Sequence, residues 1–388
     1  MLLTVNAGSS SVRVALHAQA PPHRRTLAAM LERIGQPRPW FSVSDASGAV
    51  TKRQLSPRQN AIPYLMDWME HSSWFASVSA VGHRVVHGME HRQPARVSAR
   101  LVADLRRAAA IDPDHLPREL ELMELFAQRH PGLAQFACFD TAFHARMPDV
   151  AQRIALPRRL AARGVRRYGF HGISYSYLMR ELRTQDPRAA RGRVILAHLG
   201  SGASLAAVRA GRPLDTTMGF TPASGLVMGT RSGDLDPGLP YFLARSERMS
   251  PARFHHMVNH ESGLLGLSGT SSDMRDLCAR AARDRRAADA VESFCYQVAK
   301  SIGALAVVLG GLDTLVFSAG IGEHSPEVRA RICAGLALLG VRLGKRSNQR
   351  TRPVISSGAS RVTVRVIPTD EELMIARSMA ALRRSQKP

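Results

Sequence analysis

The chain is short of lysine. Of its 388 residues, only Lys52, Lys300, Lys345 and Lys387 are lysines, so a net charge of +22 rests almost wholly on arginine. Guanidinium does not deprotonate at physiological pH, which keeps the surface cationic. An excess of that size raises the question of a polyanionic partner. Yet the densest pairs, Arg24–Arg25, Arg106–Arg107, Arg158–Arg159, Arg285–Arg286 and Arg383–Arg384, lie far apart, and no run of five or six like charges occurs. Dispersed charge argues for a solvated surface and against a nucleic-acid face. Cysteine is scarce too. Cys138, Cys278, Cys295 and Cys333 contain no CxxC pair, which excludes a disulfide framework and a zinc site and suggests buried thiols in a reducing compartment. Low-complexity tracts and long linkers are absent. The longest apolar stretch, Ile302 to Ala319, is broken by Gly310, Gly311 and Asp313, so it reads as a helix end, a turn and a strand rather than a membrane span. The opening Met-Leu-Leu-Thr-Val-Asn has no basic region and no long apolar core, and no secretory signal is expected.

What remains is ordinary globular composition, 45% hydrophobic and 22% charged, at a length that suggests two domains of ~150 residues or more each. An internal echo supports the division. Leu2–Val5 is a short apolar run followed by Asn6-Ala7-Gly8-Ser9-Ser10-Ser11 and the alternating Val12–Leu16. About half the chain later, Val194–Ala197 is followed by His198-Leu199-Gly200-Ser201-Gly202-Ala203-Ser204 and Leu205–Val208. Both read as strand, small-residue turn, strand. A duplicated α/β unit follows, with both turns expected to line a cleft. Further strands are expected at Ala76–Gly82, Phe136–Phe139 and Leu315–Ser318. Helices are expected at Pro117–His130 (stripe Leu116, Leu120, Met123, Ala127) and at Asp289–Leu309, capped by Asp289, where Val291, Phe294, Cys295, Val298, Ile302 and Leu305 recur at three- and four-residue spacing. Ala319–Gly322 reads as a turn, and Ser325-Pro326 opens another helix with Ser at N-cap and Pro at N1. Gln19 to Ser56 is rich in proline and polar residues and reads as irregular.

Small-residue turns after strands expose backbone N–H groups and admit a phosphate closely. Three occur: Gly8–Ser11, Gly200–Ser204 and Gly320–Gly322, the last leading into a helix N-terminus that favours an anion. No Walker A loop and no GxGxxG fingerprint is present. Three such turns, two of them related by duplication, favour a nucleotide cleft over three unrelated tight turns. Polar residues cluster at strand ends and in glycine-rich turns: Arg84 in Gly82–Gly88, Asp140 in Phe139–His144, His171 in Tyr168–Gly172 and Arg231 in Met228–Asp234. Ligand crevices of open α/β sheets lie at strand carboxyl ends. Each of these residues alone is also compatible with a salt bridge or a satisfied buried imidazole.

Taken in order, nine segments resemble the acetate kinase family, within the superfamily that includes hexokinase, actin and the heat-shock chaperone ATPases. They are NAGSSS at Asn6–Ser11, GHRVVHG at Gly82–Gly88, FDTAFH at Phe139–His144, RRYGFHG at Arg166–Gly172, HLGSGAS at His198–Ser204, GLVMGTRSGDLDPG at Gly225–Gly238, SGTSSDMRD at Ser268–Asp276, SAGIGEHS at Ser318–Ser325 and PTDEEL at Pro368–Leu373. The resemblance is essentially full length. It implies two duplicated ribonuclease-H-like, actin-like ATPase domains around a central cleft. The N-terminal lobe, 1–148 with the C-terminal helix 372–388, would carry the acetate-side residues, and 149–371 would bind nucleotide. The implied reaction is reversible, Mg²⁺-dependent phosphoryl transfer (Mn²⁺ is an alternative metal) from ATP to acetate, giving acetyl phosphate and ADP. A cytoplasmic homodimer is implied, with neither a nucleic-acid nor a membrane partner.

By the same resemblance, Asn6 and Glu371 would help hold the metal, partly through water. Arg84 and Arg231 would grip the acetate carboxylate and the moving phosphoryl group. Asp140 would sit at the catalytic centre as an electrostatic or metal-organising carboxylate, His171 would stabilise the transition state, and His115 would contact phosphoryl oxygens. Arg13, His198, Leu199, Gly200, Ser201 and Gly202, then Asp273, Met274 and Arg275, then Gly320, Ile321, Gly322, Glu323 and His324 would bind ATP. The segment at Asp273–Arg275 would lie around the adenosine. Val86, Phe170 and Pro222 would hold the acetate methyl. The chain departs from the family pattern at Arg13 (usually Lys), Ser201 and His324 (usually Asn), Ile173 and Tyr175 (usually Thr and His), and Asp114, where an apolar residue often walls the methyl pocket. Asp114 puts the preferred acid in question, so a propionate or butyrate kinase remains an alternative. An actin-like ATPase binding module is a second alternative and a nucleic-acid-binding protein a third.

Overall fold

In the computed structural model, both small-residue turns close β-hairpins. The first joins β1 (Leu2–Ala7) to β2 (Ser11–His17), antiparallel, with Asn6 opposite Arg13. The second joins β9 (Arg193–Leu199) to β10 (Ala203–Arg209), with His198 opposite Ser204. The structure describes residues 1–8, 11–35, 38–56 and 60–385; Ser9 and Ser10 of the first turn and the end of the C-terminal segment lie outside them.

The chain forms two compact units, Met1–Phe143 with Asp370–Pro388, and His144–Thr369. In the first, β3 (Arg25–Glu32), β4 (Trp40–Asp45) and β5 (Val50–Gln54) extend the hairpin as an antiparallel meander. On its other side β1 pairs in parallel with β6 (Ala80–Val85), and β6 with β8 (Ala134–Phe139); the two-residue β7 (Ala95–Arg96) edges β8. The order is β5-β4-β3-β2-β1-β6-β8-β7. In the second, β11 (Arg212–Thr216), β12 (Thr314–Ser318) and β13 (Thr363–Val366) complete the order β11-β10-β9-β12-β13, with β9, β12 and β13 parallel. The sub-order β3-β2-β1-β6-β8 repeats as β11-β10-β9-β12-β13, strand for strand and with the same parallel pairings. The duplicated α/β architecture expected from the echo is therefore present in both sheets.

The meander corrects the reading of Gln19–Ser56 as irregular. β3 buries Ala29 and Leu31, while β5 is exposed along its whole length and carries Lys52 and Arg53, a charged edge of the kind that discourages pairing with another chain. Asp45 shapes the β4–β5 turn, its Oδ1 accepting from the backbone N–H of Ser47 (2.8 Å) and Ala49 (3.2 Å).

Helix Glu371–Ser385 lies on one face of the first sheet, where Ala376, Met379 and Ala380 meet Leu2, Ala80 and Phe136. The approach is close enough to require glycine. A Cβ at Gly82 would stand 2.7 Å from Ile375 Cγ2. Helix Leu116–Arg129 buries Leu116, Leu120, Met123 and Phe126; the expected Ala127 is exposed, and Phe126 takes its place in the stripe. In the second unit the long helix runs from Arg285 to Leu309. Its N-cap is Asp284, which accepts from Arg286 N (2.9 Å) and Ala287 N (3.3 Å), and not the expected Asp289. Among the described residues it is the one helix long and apolar enough to cross a membrane. Its stripe from Val291 to Leu305 is buried to 5% exposure or less, and the helix packs on β9, β10 and β11. Ala319–Gly322, expected as a turn, belongs to a short helix, Ala319–His324. Ser325 caps the next helix, Pro326–Ala334, as expected.

Candidate functional site

The parallel strands of the first unit deliver charge to their carboxyl ends. Arg84 sits near the end of β6, and Asp140 follows β8 directly, its N–H donating to Val85 O (2.9 Å). Arg84 donates from both Nε (2.9 Å) and Nη2 (2.6 Å) to Asp140 Oδ2, and from Nη1 to Ala7 O (3.1 Å). Both guanidinium nitrogens fall on the same oxygen. Oδ1 of this 1%-exposed carboxylate has no hydrogen-bond partner, and a buried acceptor left so is costly. Nearby, Asn6 Nδ2 donates to Glu371 Oε2 (3.0 Å) and Glu372 Oε1 (3.4 Å), and Arg13 Nη1 lies 3.5 Å from Glu372 Oε1. Burial, with the carboxylate of Asp140 next and Arg84 opposing, pushes Glu371 up to about 7. Crowded carboxylates with an orphaned oxygen suit a hard cation. No three His, Cys, Asp or Glu side chains among the described residues are grouped closely enough to hold a metal alone.

Two acidic residues here escaped sequence reasoning. Glu119 is 2% exposed on helix Leu116–Arg129; both its carboxylate oxygens accept from Val86 N–H (3.1 and 3.0 Å), and Arg84 Nη1 is 3.7 Å away. A glutamate in a helix's first turn reads as a dipole partner, and nothing in its spacing reveals that it turns inward. Asp112 is 4% exposed and accepts at 2.8 Å from Nδ1 of His115, the helix N-cap residue. Burial would raise the Asp112 carboxyl, but the bond to His115 and the charges of His115, Arg84 and His87 hold it below the usual range. Asp114 is partly exposed.

Glu119 makes stability depend on pH. Burial, outweighing Arg84 and the Val86 N–H, pushes its carboxyl up to about 8. Between pH 6.5 and 8 Glu119 then holds more protons in the folded protein than in the unfolded chain, so its contribution to stability falls as pH rises, opposed by the Met1 amine, which burial and Arg383 hold below its usual value. Buried His83 and His144, both pushed down to about 4 by burial, act only below 6.5, where stability is lost as pH falls. Glu119→Gln is therefore expected to flatten the decline in Tm between pH 6.5 and 8, leaving the part due to Glu371. An unchanged slope would mean that Glu119 is ionised throughout that range.

The second unit gathers the other polar candidates at its hairpin turn. His171 is the N-cap of helix Gly172–Gln185 and takes a left-handed backbone, φ 58°. Its ring stacks on His198, centroids 4.2 Å apart, and its Nδ1 lies 2.9 Å from Ser204 Oγ. His198 Nδ1 lies 2.8 Å from Ser174 Oγ, which in turn meets Thr369 Oγ1 at 2.8 Å. Arg231 Nη1 donates to Pro222 O (2.8 Å). The turn glycine explains itself: a Cβ at Gly202 would come within 3.2 Å of His171 Nε2 and 3.3 Å of Arg231 Nη2. His171, Arg231 and Gly202 are thus one cluster. Phe170 is 1% exposed and Pro222 is also buried in this unit; Val86 lies in the first unit.

Beside that turn is a cavity of about 510 Å³ lined by Gly200, Ser201, Asp273, Met274, Arg275, Gly320, Ile321 and His324, with Ser272, Cys278 and Ser325 added by the fold. The second glycine turn, the short helix Ala319–His324 and the Asp273 segment, far apart in sequence, share one wall. Asp273 caps helix Met274–Arg280 and pairs with Arg275 (2.6 Å). Of the residues expected to bind ATP, Arg13, His198, Leu199, Gly202, Gly322 and Glu323 are not part of this lining. The Leu199 side chain is fully buried, and the Glu323 carboxylate braces the backbone by accepting from Ala319 N (2.7 Å) and Thr369 N (3.0 Å). His324 is largely exposed, and Arg13 is half-exposed on β2.

A twice-repeated sheet with glycine hairpin turns, an arginine–carboxylate centre at strand ends and a cavity between a glycine turn and a short helix defines a phosphotransferase of the actin-like ATPase fold. The chain belongs to the Acetokinase family, whose profile matches residues 1–377. The acetate kinase of Rhodopseudomonas palustris (strain TIE-1) is 44% identical over 388 residues, 97% of each chain, and that of Nitrobacter hamburgensis 43% identical over 390 residues, 98% of this chain and 96% of that one. Among solved structures, a propionate kinase from Francisella tularensis subsp. tularensis SCHU S4 matches with a TM-score of 0.91 at 34% identity, covering 97% of this chain and 98% of that one. Porphyromonas gingivalis acetate kinase gives 0.87 at 34% identity, over 98% and 99%.

Proposed function

We propose that this protein reversibly transfers the γ-phosphoryl group of ATP to acetate, giving acetyl phosphate and ADP. The observation that carries the reading is the convergence of His171 Nε2 and Arg231 Nη2 on Gly202, in the turn that also supplies Gly200 and Ser201 to the cavity. A guanidinium and an imidazole aimed at a glycine turn suit an anionic phosphoryl group. A carboxylic acid such as acetate is ionised at pH 7 and needs no general base. Its oxygen attacks the γ-phosphorus, the bond to the β-phosphate bridging oxygen breaks, and ADP leaves with that electron pair. The obstacle is repulsion between two anions, which fixed cations relieve.

On this reading Arg84, Asp140, His115 and Val86 act on the acid, and His171, Arg231, Phe170, Pro222 and the cavity residues act on the acid, the phosphoryl group and the nucleotide. Asn6 and Glu371 would hold Mg²⁺, which when bound neutralises charge on the phosphate oxygens. The unpartnered Asp140 Oδ1 supports an organising carboxylate there rather than a base. The same reading includes a cytoplasmic location and a homodimer. What supports the homodimer is the His144–Thr369 unit's helix Leu239–Ser246, which has no buried residue and with Leu235 leaves Tyr241 and Phe242 exposed. Sedimentation velocity reads that state directly.

Propionate is the second reading, favoured by Asp114 and by the likeness to a propionate kinase. A hydroxamate assay across acetate, propionate and butyrate at equal concentration separates the two. Acyl phosphate is expected, fastest with acetate. Faster turnover of propionate replaces the acid, and ATP hydrolysis indifferent to every acid replaces the function by an ATPase module.

A further inference from the structure

The reaction described so far gives Tyr175 no task. It is fully buried, on helix Gly172–Gln185 one turn after His171. Its hydroxyl lies 2.5 Å from Ser204 Oγ, and Ser204 Oγ lies 2.9 Å from His171 Nδ1. Ser204 is fully buried as well. The three groups form an unbroken chain from the core to the imidazole.

A serine hydroxyl has one proton to give. It can donate to His171 Nδ1 while accepting from Tyr175, or donate to Tyr175 while accepting from Nδ1–H. A phenol, with its pKa near 10, is a far stronger donor and weaker acceptor than an aliphatic alcohol. The first direction is favoured: Tyr175 O–H donates to Ser204, and Ser204 O–H donates to Nδ1. Nδ1 is then an acceptor, and the ring's own proton sits on Nε2. The surroundings ask for the same state. Arg231 Nη2 converges with Nε2 on Gly202, and His198 is stacked on the ring at 4.2 Å. An imidazolium there would repel the guanidinium beside it. A neutral ring with Nε2–H still presents a donor to an anionic oxygen, without that repulsion.

We infer that Tyr175, acting through Ser204, is a positioning residue that holds His171 as the neutral Nε2–H tautomer, so that His171 meets the phosphoryl group as a hydrogen-bond donor rather than as a cation. The left-handed backbone of His171, φ 58° and uncommon for a residue other than glycine, goes with a ring whose Nε2 faces the turn at Gly202. The inference rests on the proposed role of His171, and its test is read independently of turnover.

The test uses the full-length protein labelled with ¹⁵N-histidine. Two-bond ¹H–¹⁵N correlations report which ring nitrogen is protonated, and the His171 signals are assigned by their loss in His171→Gln. The expected spectrum at neutral pH is the Nε2–H pattern. Tyr175→Phe removes one oxygen and keeps the ring; it should shift His171 to a tautomer mixture and lower kcat about tenfold, the scale for groups that fix a histidine's tautomer, with KM for ATP and acid within twofold. Ser204→Ala should give the same shift and stands in if Tyr175→Phe does not fold. A wild-type Nδ1–H or imidazolium pattern overturns the inference, and so does an unchanged His171 pattern in both variants, whatever happens to kcat. If instead His171→Gln itself leaves turnover within threefold, the catalytic role of His171 fails, a result distinct from the tautomer spectrum.

Discussion

Arg231→Ala is expected to lower kcat by about 10²–10³, the scale of losing one preorganised donor to transition-state charge. Arg84→Ala should cost at least as much. The two differ in what else they disturb. Arg84 lies among buried carboxylates, bonded to Asp140 and 3.7 Å from Glu119. Its removal leaves negative charge without compensation, which destabilises as well as disables. Arg231 donates from Nη1 to a backbone carbonyl, Pro222 O, so its variant is read as turnover with Tm measured beside it. Arg84→Lys separates the two effects. It retains the charge but cannot place Nε and Nη2 on one oxygen, so stability should recover more than turnover does. Turnover within threefold of wild type for either alanine variant, measured as acyl hydroxamate formed per minute, rejects the role assigned to that residue.

The glycine hairpins are easier to read in the sequence than the edges of the fold. The two hairpins were legible because strand alternation and small-residue turns are local, and a turn that admits a phosphate must be small. Helix Arg285–Leu309 was legible through its apolar spacing, but its start was not. The first turn, Arg285–Ala288, adds only Ala287 to the buried stripe, so periodicity signals the helix only from Val291. The Arg25–Gln54 meander was hidden because it is peripheral. Its core-facing positions include alanine, and β5 buries nothing. The Asp273–Arg275 segment, the second glycine turn and the segment of helix Ala319–His324 could be found one by one, but only the fold shows that they share a wall. Glu119, Asp112 and Ser204 were missed for a related reason. Glu119 reaches Val86 across 33 residues and Ser204 reaches Tyr175 across 29, and spacing carries no mark of such pairs. Asp112, three residues from His115, was near enough to notice, but a carboxylate before a helix reads first as a cap.

The cavity proposed for nucleotide is braced by an arginine outside its lining, and removing that arginine should have the largest effect on stability. Arg329, on helix Pro326–Ala334, is fully buried. It uses five N–H donors, the full complement of a guanidinium. Nη1 donates to Gly322 O (2.9 Å) and Glu323 O (2.8 Å), Nε to Asn348 Oδ1 (2.9 Å), and Nη2 to Asn348 O (2.9 Å) and Thr351 Oγ1 (3.1 Å). The carbonyls of Gly322 and Glu323 belong to the short helix Ala319–His324, whose Gly320, Ile321 and His324 line the cavity. A six-residue helix satisfies few of its own carbonyls, so its end is held from outside. Arg329→Met keeps most of the volume but strands several buried acceptors at once. Each is worth about 1–3 kcal/mol and they are not additive, so a loss of about 4 kcal/mol is expected, read from the urea midpoint at unchanged m. Because the freed carbonyls lie next to the cavity wall, ATP affinity in the folded variant should fall as well. Arg329→Lys, with three donors for five sites, should land between. A Met variant within 1 kcal/mol of wild type, binding ATP normally, would show that the short helix holds its shape alone and that the arginine only fills space.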